Sequence, residues 1–423
     1  MIIYFEDICF CIYQMIAEIL KMGPFRQLVK LQRTGKIGKS IVRGLSTEHK
    51  VGLRAVVNEV ISNPLEAIEK VALEPMSIPD LAQLPPDALI LEVSSSSVHW
   101  VDMLMMMGQY QQAPPLPYTP GMEYSGKVIG IGKDVKSFKH GDHVFVDIFN
   151  AGPRSYGKYQ IWGGCASYSA APESALRHVP QEFDMHQAAV YCGGYETAHH
   201  ALVHCANLKS TETVLIHGAT GAGGLAATQI CSALGANMII TGGSDEKLDI
   251  VKKQCFGKGK ILGSYNYNKN EVSLRDLVKS LTVKGTGVEV VFDTVGGSKL
   301  IQNSLRCLKF NGRYCVVGWT STPFAGGGRA AGADQSTANV IPTNLIMMKG
   351  AHVIGCPVAI HTRTDPTIRP PRVAAIDSMV KDGLLRPYVS HIFPLSQLKE
   401  AMRAKWGREV TGCCVVDCTE ESD

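Results

Sequence analysis

The sequence predicts an α/β protein in two parts, a β-rich antiparallel domain followed by a doubly wound parallel sheet. Three observations carry this reading. Short β-branched runs broken by Gly and Pro fill residues 51–180, strand-like runs alternate with helical stretches over residues 181–356, and a glycine-rich turn stands near the head of that alternation. The 423 residues, 45% hydrophobic and 19% charged, can build two cores and exclude a disordered regulator.

Residues 1–46 form an N-terminal extension. Its apolar stretch, residues 8–17, is flanked by Glu6, Asp7 and Glu18 and falls short of the about 20 apolar residues a membrane span needs. No positive charge precedes it, which disfavours an export signal. Residues 22–47 carry Arg26, Lys30, Arg33, Lys36, Lys39 and Arg43 without one acid, and Phe25, Leu28, Val29, Ile37, Ile41 and Leu45 recur at helical spacing. A cationic amphipathic segment of this kind is the profile of a mitochondrial transit peptide. A basic surface helix, or a start placed too far upstream in a cytoplasmic protein, is the alternative, and a plastid address looks similar.

The β-rich domain is expected over residues 47–180, with strands at 88–93, 126–130 and 143–147 between turn signals. The parallel-sheet domain follows over residues 181–357, with strands at 213–217, 237–241, 288–292, 313–317 and 352–355. Residues 358–423 return to mixed structure, with an amphipathic helix at 395–405 and a closing strand at 412–416. Residues 150–162 and 323–337 look like inserted, solvated loops.

Composition narrows the partners. The 42 Lys and Arg against 38 Asp and Glu leave +4, too slight and too dispersed to be the footprint of a nucleic-acid binder. Thirteen cysteines without a repeated CxxC spacing fit neither a zinc ribbon nor an iron-sulfur site and suit a reducing compartment.

The strongest local signal is the run from Val214 to Ile230, a strand, a turn made of Gly218, Ala219, Thr220, Gly221, Ala222, Gly223 and Gly224, then a small-residue helix. Small residues let the backbone approach a pyrophosphate, whose charge rests at the unpaired N–H groups of the helix N-terminus. The next strand ends in Thr241-Gly242-Gly243-Ser244, with no carboxylate to hold a ribose hydroxyl. Ser244 can donate to phosphate oxygens and Lys247 can neutralise them, so NADPH is the expected cofactor, with Asp245 and Glu246 read as first-turn acids pointing elsewhere.

From residue 51 to 416 the chain resembles the medium-chain dehydrogenase/reductase superfamily, in particular its zinc-independent quinone oxidoreductase (zeta-crystallin-like) branch. The matching stretches are Thr119-Pro120-Gly121-Met122-Glu123-Tyr124, Lys139-His140-Gly141-Asp142, Tyr195-Glu196-Thr197-Ala198, the glycine turn, Asp293-Thr294-Val295-Gly296-Gly297, Val317-Gly318 and Pro342-Thr343-Asn344. The resemblance implies a GroES-like catalytic domain beside a Rossmann domain, usually dimerised through its last strand, so a homodimer is expected. It also implies that Tyr267, Gly318 and Asn344 touch the cofactor and that Thr197 lies by the nicotinamide.

Zinc-dependent members of the superfamily hold the metal through a cysteine ahead of an aspartate, the histidine of a Gly-His-Glu run and a distant third ligand. The corresponding stretches here are Val98-His99-Trp100-Val101-Asp102 and Gly121-Met122-Glu123, and a thioether does not replace a nitrogen ligand, so no catalytic metal is expected. His99 stands where the branch usually has Asn. It can donate a hydrogen bond or act as an acid near neutrality, or it can be a packing group in the cleft wall. Gly108-Gln109-Tyr110 matches the branch's glycine-x-tyrosine, so Tyr110 is a candidate proton donor, with substrate-shaping and packing roles left open. Asp102 completes the candidate catalytic group of His99, Asp102, Tyr110 and Thr197.

His199, His200 and His204 follow Thr197 on one predicted helix, with Cys205 next. His200 and His204 share a face, as metal-binding histidines do, but imidazole also suits a half-buried surface where this branch places aromatic rings, and no metal site is assigned.

The function implied is hydride transfer from NADPH to a small electrophilic acceptor, a quinone or an α,β-unsaturated carbonyl compound, without metal. A mitochondrial enoyl-thioester reductase is one alternative. Another is an NADPH-binding subunit with little turnover, docked in an assembly through the N-terminal extension.

Overall fold

The computed structural model describes residues 51–269, 272–320 and 340–419. The predicted transit segment and the predicted loop at 323–337 lie outside the described residues. Among the described residues no helix is long and apolar enough to cross a membrane.

The N-terminal domain opens with a two-stranded ribbon, β1 (Gly52–Val56) against β2 (Ala72–Met76), with helix α1 (Pro64–Glu69) between them. Strand β3 (Ala88–Ser97) is the spine of the main sheet. One edge pairs with β4 (Tyr124–Ile131), and the other is divided between β6 (Tyr168–Pro172) and β15 (Cys413–Asp417). Strands β5 (His143–Val146) and β7 (Leu176–His178) extend the sheet beyond β4, and β14 (Val389–Pro394) lies outside β15. Between β3 and β4 sits helix α2 (Trp100–Met106), which buries Met103, Leu104, Met105 and Met106. Its outward Trp100 stacks on Trp406, with ring centroids 4.8 Å apart. The chain thus returns at its C-terminus to complete the sheet its N-terminal part began.

A helix α3 (Met185–Ala188) and a longer α4 (Cys192–His199) lead into the second sheet. Six strands, β8 (Thr213–His217), β9 (Asn237–Gly242), β10 (Ile261–Asn266), β11 (Val288–Asp293), β12 (Leu308–Val316) and β13 (His352–Gly355), are all parallel in the order β10-β9-β8-β11-β12-β13. The strand order reverses between β8 and β11, the place where open parallel sheets bind ligands. Val214, Leu215 and Ile216 of β8 are fully buried because helices cover both faces, which explains their unbroken apolar run.

Most of these strands were legible as β-branched runs. Strands β1, β2, β6 and β7 were not, nor were β10, interrupted by Gly263 and Ser264, and β14, whose residues are mostly half-buried and carry little alternation. The solvated loop expected at 150–162 is a correction. Ala151, Gly152, Pro153 and Ser155 are buried, and the Gln112 side chain donates to the carbonyls of Arg154 (2.6 Å) and Ser155 (3.0 Å).

Candidate active site

The glycine turn follows β8 at the carboxyl edge of the parallel sheet. Gly218 adopts φ +67°, and a Cβ on Gly224 would lie 2.1 Å from the Gly218 carbonyl oxygen, so the tight return into helix α5 (Ala222–Leu234) needs glycine at both places. Gly221 and Gly223 differ, because a Cβ there would meet nothing closer than 3.5 Å. The space above these two glycines and the N-terminus of the thirteen-residue helix form an open cradle for a pyrophosphate. Ala219 is buried and bonded through its N–H to Thr241, and Gly318 lies at the same edge, its N–H on Asp293. Asp293 accepts from Val295 N (2.7 Å) and Gly296 N (3.0 Å), which fixes the neighbouring turn. These residues fit a dinucleotide.

At the ribose end the side chains are committed otherwise than the sequence suggests. Lys247, in helix α6 (Asp245–Lys253), donates to the carbonyls of Arg408 and Glu409, both at 2.6 Å, and desolvation holds its ammonium below the usual range. Ser244 caps the helix through Lys247 N and donates to Glu246 Oε2 at 2.6 Å. Asp245 is turned away as expected, onto Asn266 and Lys269. Tyr267 directs its hydroxyl into a buried network with His217 Nδ1 (2.8 Å) and Thr241 instead of outward. Asn344, near the start of helix α9 (Thr343–Lys349), is exposed. The cause of the first change is a C-terminal strap. Residues 408–412 cross the glycine turn, where Gly412 N donates to the Thr220 carbonyl at 2.8 Å, and their own carbonyls need a donor, which Lys247 supplies.

The catalytic candidates converge at the start of helix α2. His99 is its N-cap residue, and its backbone N–H donates to Asp102 Oδ2 at 3.0 Å while Gly121 N donates to Asp102 Oδ1 at 3.1 Å. Asp102 is buried, and desolvation pushes its carboxyl up to about 6 against the lowering effect of His99 and these donors. It is therefore a positioning residue that ties the His99 backbone to the Gly121 turn. The His99 ring, a quarter exposed, points its Nε2 at Glu123 Oε1, 3.5 Å away. Glu123 is buried, its Oε1 also accepts from Gly193 N at 2.8 Å, and its Oε2 has no hydrogen-bond partner among the described residues.

Glu123 is a candidate residue the sequence did not single out, although it stands in the Gly-Met-Glu run. A buried carboxylate needs a cation or several donors, and here His99 and one N–H of α4 answer that need. Met122 is fully buried and turned to the core. The His99 and Glu123 side chains meet the backbone N–H of Gly193 here, with the buried Cys192 beside it.

Thr197 is half-buried on α4, one turn along from Gly193. Tyr110 is half-buried under Arg154, whose guanidinium lies 5.9 Å from the ring centre. No hydrogen bond among the described residues joins Tyr110 to His99 or Glu123. Helix α4 is held by a buried ion network: Glu196 accepts from Arg369 (2.7 Å) and Arg372 (2.8 Å) of helix α11 (Arg369–Lys381), and Arg369 reaches Asp147 at 2.5 Å. Beside it lies a cavity of about 890 Å³ bounded by Phe149, Tyr156, Arg363, Arg369 and Asp377.

The alcohol dehydrogenase GroES-like domain family matches residues 85–181, and the zinc-binding dehydrogenase family matches residues 223–365. Quinone oxidoreductase-like protein 2 of Mus musculus is 32% identical over 80% of this chain and 88% of its own length. The quinone oxidoreductase of Homo sapiens is 29% identical over 75% of this chain and 85% of its own. A mycobacterial protein solved in complex with NADPH superposes with a TM-score of 0.69 at 22% identity, covering 86% of this chain and 99% of that one. The quinone oxidoreductase of Pseudomonas syringae gives 0.67 at 22% identity, covering 86% and 99%. With the GroES-like sheet, the parallel sheet in its dinucleotide-binding order and these relatives in agreement, the chain belongs to the quinone oxidoreductase-like branch of the medium-chain dehydrogenase/reductase superfamily.

Proposed function

We propose that the protein is an NADPH-dependent reductase of quinones or α,β-unsaturated carbonyl compounds that works without a catalytic metal. The observation that carries this reading is the His99–Glu123 pair, because it offers a proton source, where the metal-dependent members of the superfamily need a ligand set. The bound cofactor supplies the hydride. The chain's own residues do the rest: the glycine turn holds the phosphates, Asp102 fixes the His99 backbone, and His99 holds a proton at Nε2 for the oxygen of the reduced acceptor while Glu123 stabilises the ring's charge. Preference for NADPH is supported by the absence of an acid at the end of β9, where Thr241-Gly242-Gly243-Ser244 lead into helix α6.

Two further parts of the reading concern the whole protein. The acid-free stretch of residues 22–47 supports delivery to mitochondria. The edge of β13, unpaired among the described residues, and the exposed Phe310 and Met347 support pairing with a second copy.

The test is turnover of purified protein with NADPH against a panel of ortho-quinones, enals and enoyl thioesters. Oxidation of NADPH with quinones or enals is expected. Activity confined to enoyl thioesters would move the protein to fatty-acid chemistry, and tight NADPH binding without turnover on any acceptor would leave a non-catalytic subunit.

A further inference from the structure

Helix α4 does not end at His199 but continues into a π-helical turn, His200–Cys205. The wider turn keeps the side chains of His200 and His204 in register: their rings stack with centroids 4.9 Å apart and planes 16° from parallel. Such turns are rare and concentrate at functional sites. A third imidazole arrives from 161 residues away in sequence, on helix α10 (Val358–Thr364), where His361 Nδ1 lies 2.8 Å from His200 Nε2. One ring nitrogen from each of the three lies within 4.8 Å of the others. This is the one such group of potential ligands among the described residues.

We propose that His200, His204 and His361 bind one divalent transition-metal ion of the zinc class, apart from the catalytic group. Three neutral imidazoles with an open fourth position match the donors such ions prefer. Zinc at about 2.0–2.1 Å from each nitrogen sets tetrahedral nitrogens about 3.4 Å apart. The His200–His361 pair needs to open by about half an ångström and the exposed His204 to close on them, movements within rotamer freedom. The base of the site is buried and its mouth open: His200 is fully buried, His361 half-buried and His204 exposed, which leaves room for a water as fourth ligand.

The surroundings define what binding demands. Arg372 Nη1 lies 3.4 Å from His200 Nδ1, so in the metal-free protein the His200 proton belongs on Nε2, shared with His361. Ligation moves that proton to Nδ1, and Arg372 yields the contact while keeping Glu196 and Thr362, both at 2.8 Å. The bound ion would clamp α10 to α4, the helix that carries Thr197 and Glu196.

Titration calorimetry of the full chain, stripped with a chelator and dialysed, with Zn²⁺ as the only added ligand, tests this. One equivalent is expected to bind with a micromolar or tighter Kd (about −8 kcal/mol or better) and to raise Tm. The double variant His204→Ala, His361→Ala is expected to lose affinity on the order of a hundredfold and to lose the Tm rise. His204→Ala alone, at an exposed position, guards against misfolding and is expected to weaken binding in the same direction. Failure of the parent protein to bind, or stoichiometric binding retained by the double variant, overturns the proposal, the latter assigning the ion to cysteines. Reductase turnover of the metal-free chain is read in the same samples, so that loss of this site and loss of the proposed activity are told apart.

Discussion

At the scale of single residues the site turns on which group supplies the proton. Tyr110 and His99 were equal candidates as sequence. His99 lies 3.5 Å from the Glu123 carboxylate, whereas the Tyr110 ring lies under the Arg154 guanidinium. His99→Ala is therefore expected to lower kcat by about 10²–10⁴ with NADPH affinity unchanged, and Tyr110→Phe to stay within a few-fold of the parent. Steady-state kinetics on an active quinone decide it, and the reverse pattern would hand the role to Tyr110. Neither composition nor spacing could reveal the pairing, because Glu123 is brought to His99 by the β3–β4 ladder and to Gly193 by the packing of α4.

Among the elements, the strap at 408–412 has the largest consequence that no local pattern signals. It joins the cofactor turn to the last strand of the other sheet through Thr220 and Gly412, and it occupies the lysine expected at the 2′-phosphate. Lys247→Glu breaks that clamp and places a carboxylate at the ribose end. NADPH affinity is expected to fall at least about tenfold more than NADH affinity, a difference of about 1.4 kcal/mol. Fluorescence titration with both nucleotides measures it, and equal losses would confine Lys247 to holding the strap. The glycine turn, by contrast, was fully legible, because a strand, a turn that needs φ > 0 and a helix N-terminus leave a sequence signature wherever they occur.

Two of the buried titratable groups among the described residues, Asp102 and His199, act on stability in opposite directions. Burial pushes the Asp102 carboxyl from its ordinary 3.8 up to about 6. Its neutral form is favoured in the fold, so its stabilisation is full below pH about 4 and is lost as pH rises through about 6. Burial pushes the His199 imidazole from 6.5 down to about 4. Its neutral form is favoured as well, so its stabilisation is present above pH about 6.5 and is lost as pH falls through about 4. In the window between, the two contributions run against each other. His199→Gln removes one of them, and the variant is expected to become less stable as pH rises from 4 to 6, with a steeper slope than the parent. Urea midpoints at several pH values test this, and parallel curves for the two proteins would show that His199 is not held neutral by burial.

What the sequence determined by itself was everything set by local periodicity and backbone geometry: the change from a β-rich to an alternating pattern and the cofactor turn. What only the tertiary structure decided was every partnership between distant residues, namely His99 with Glu123, Lys247 with the strap, Glu196 with Arg369 and Arg372, and His200 with His361. The physical reason is the same in each case. A buried charge or ring nitrogen must find its counterpart somewhere, but the sequence records only that the need exists, and the topology of the two sheets and their helices selects which residue meets it.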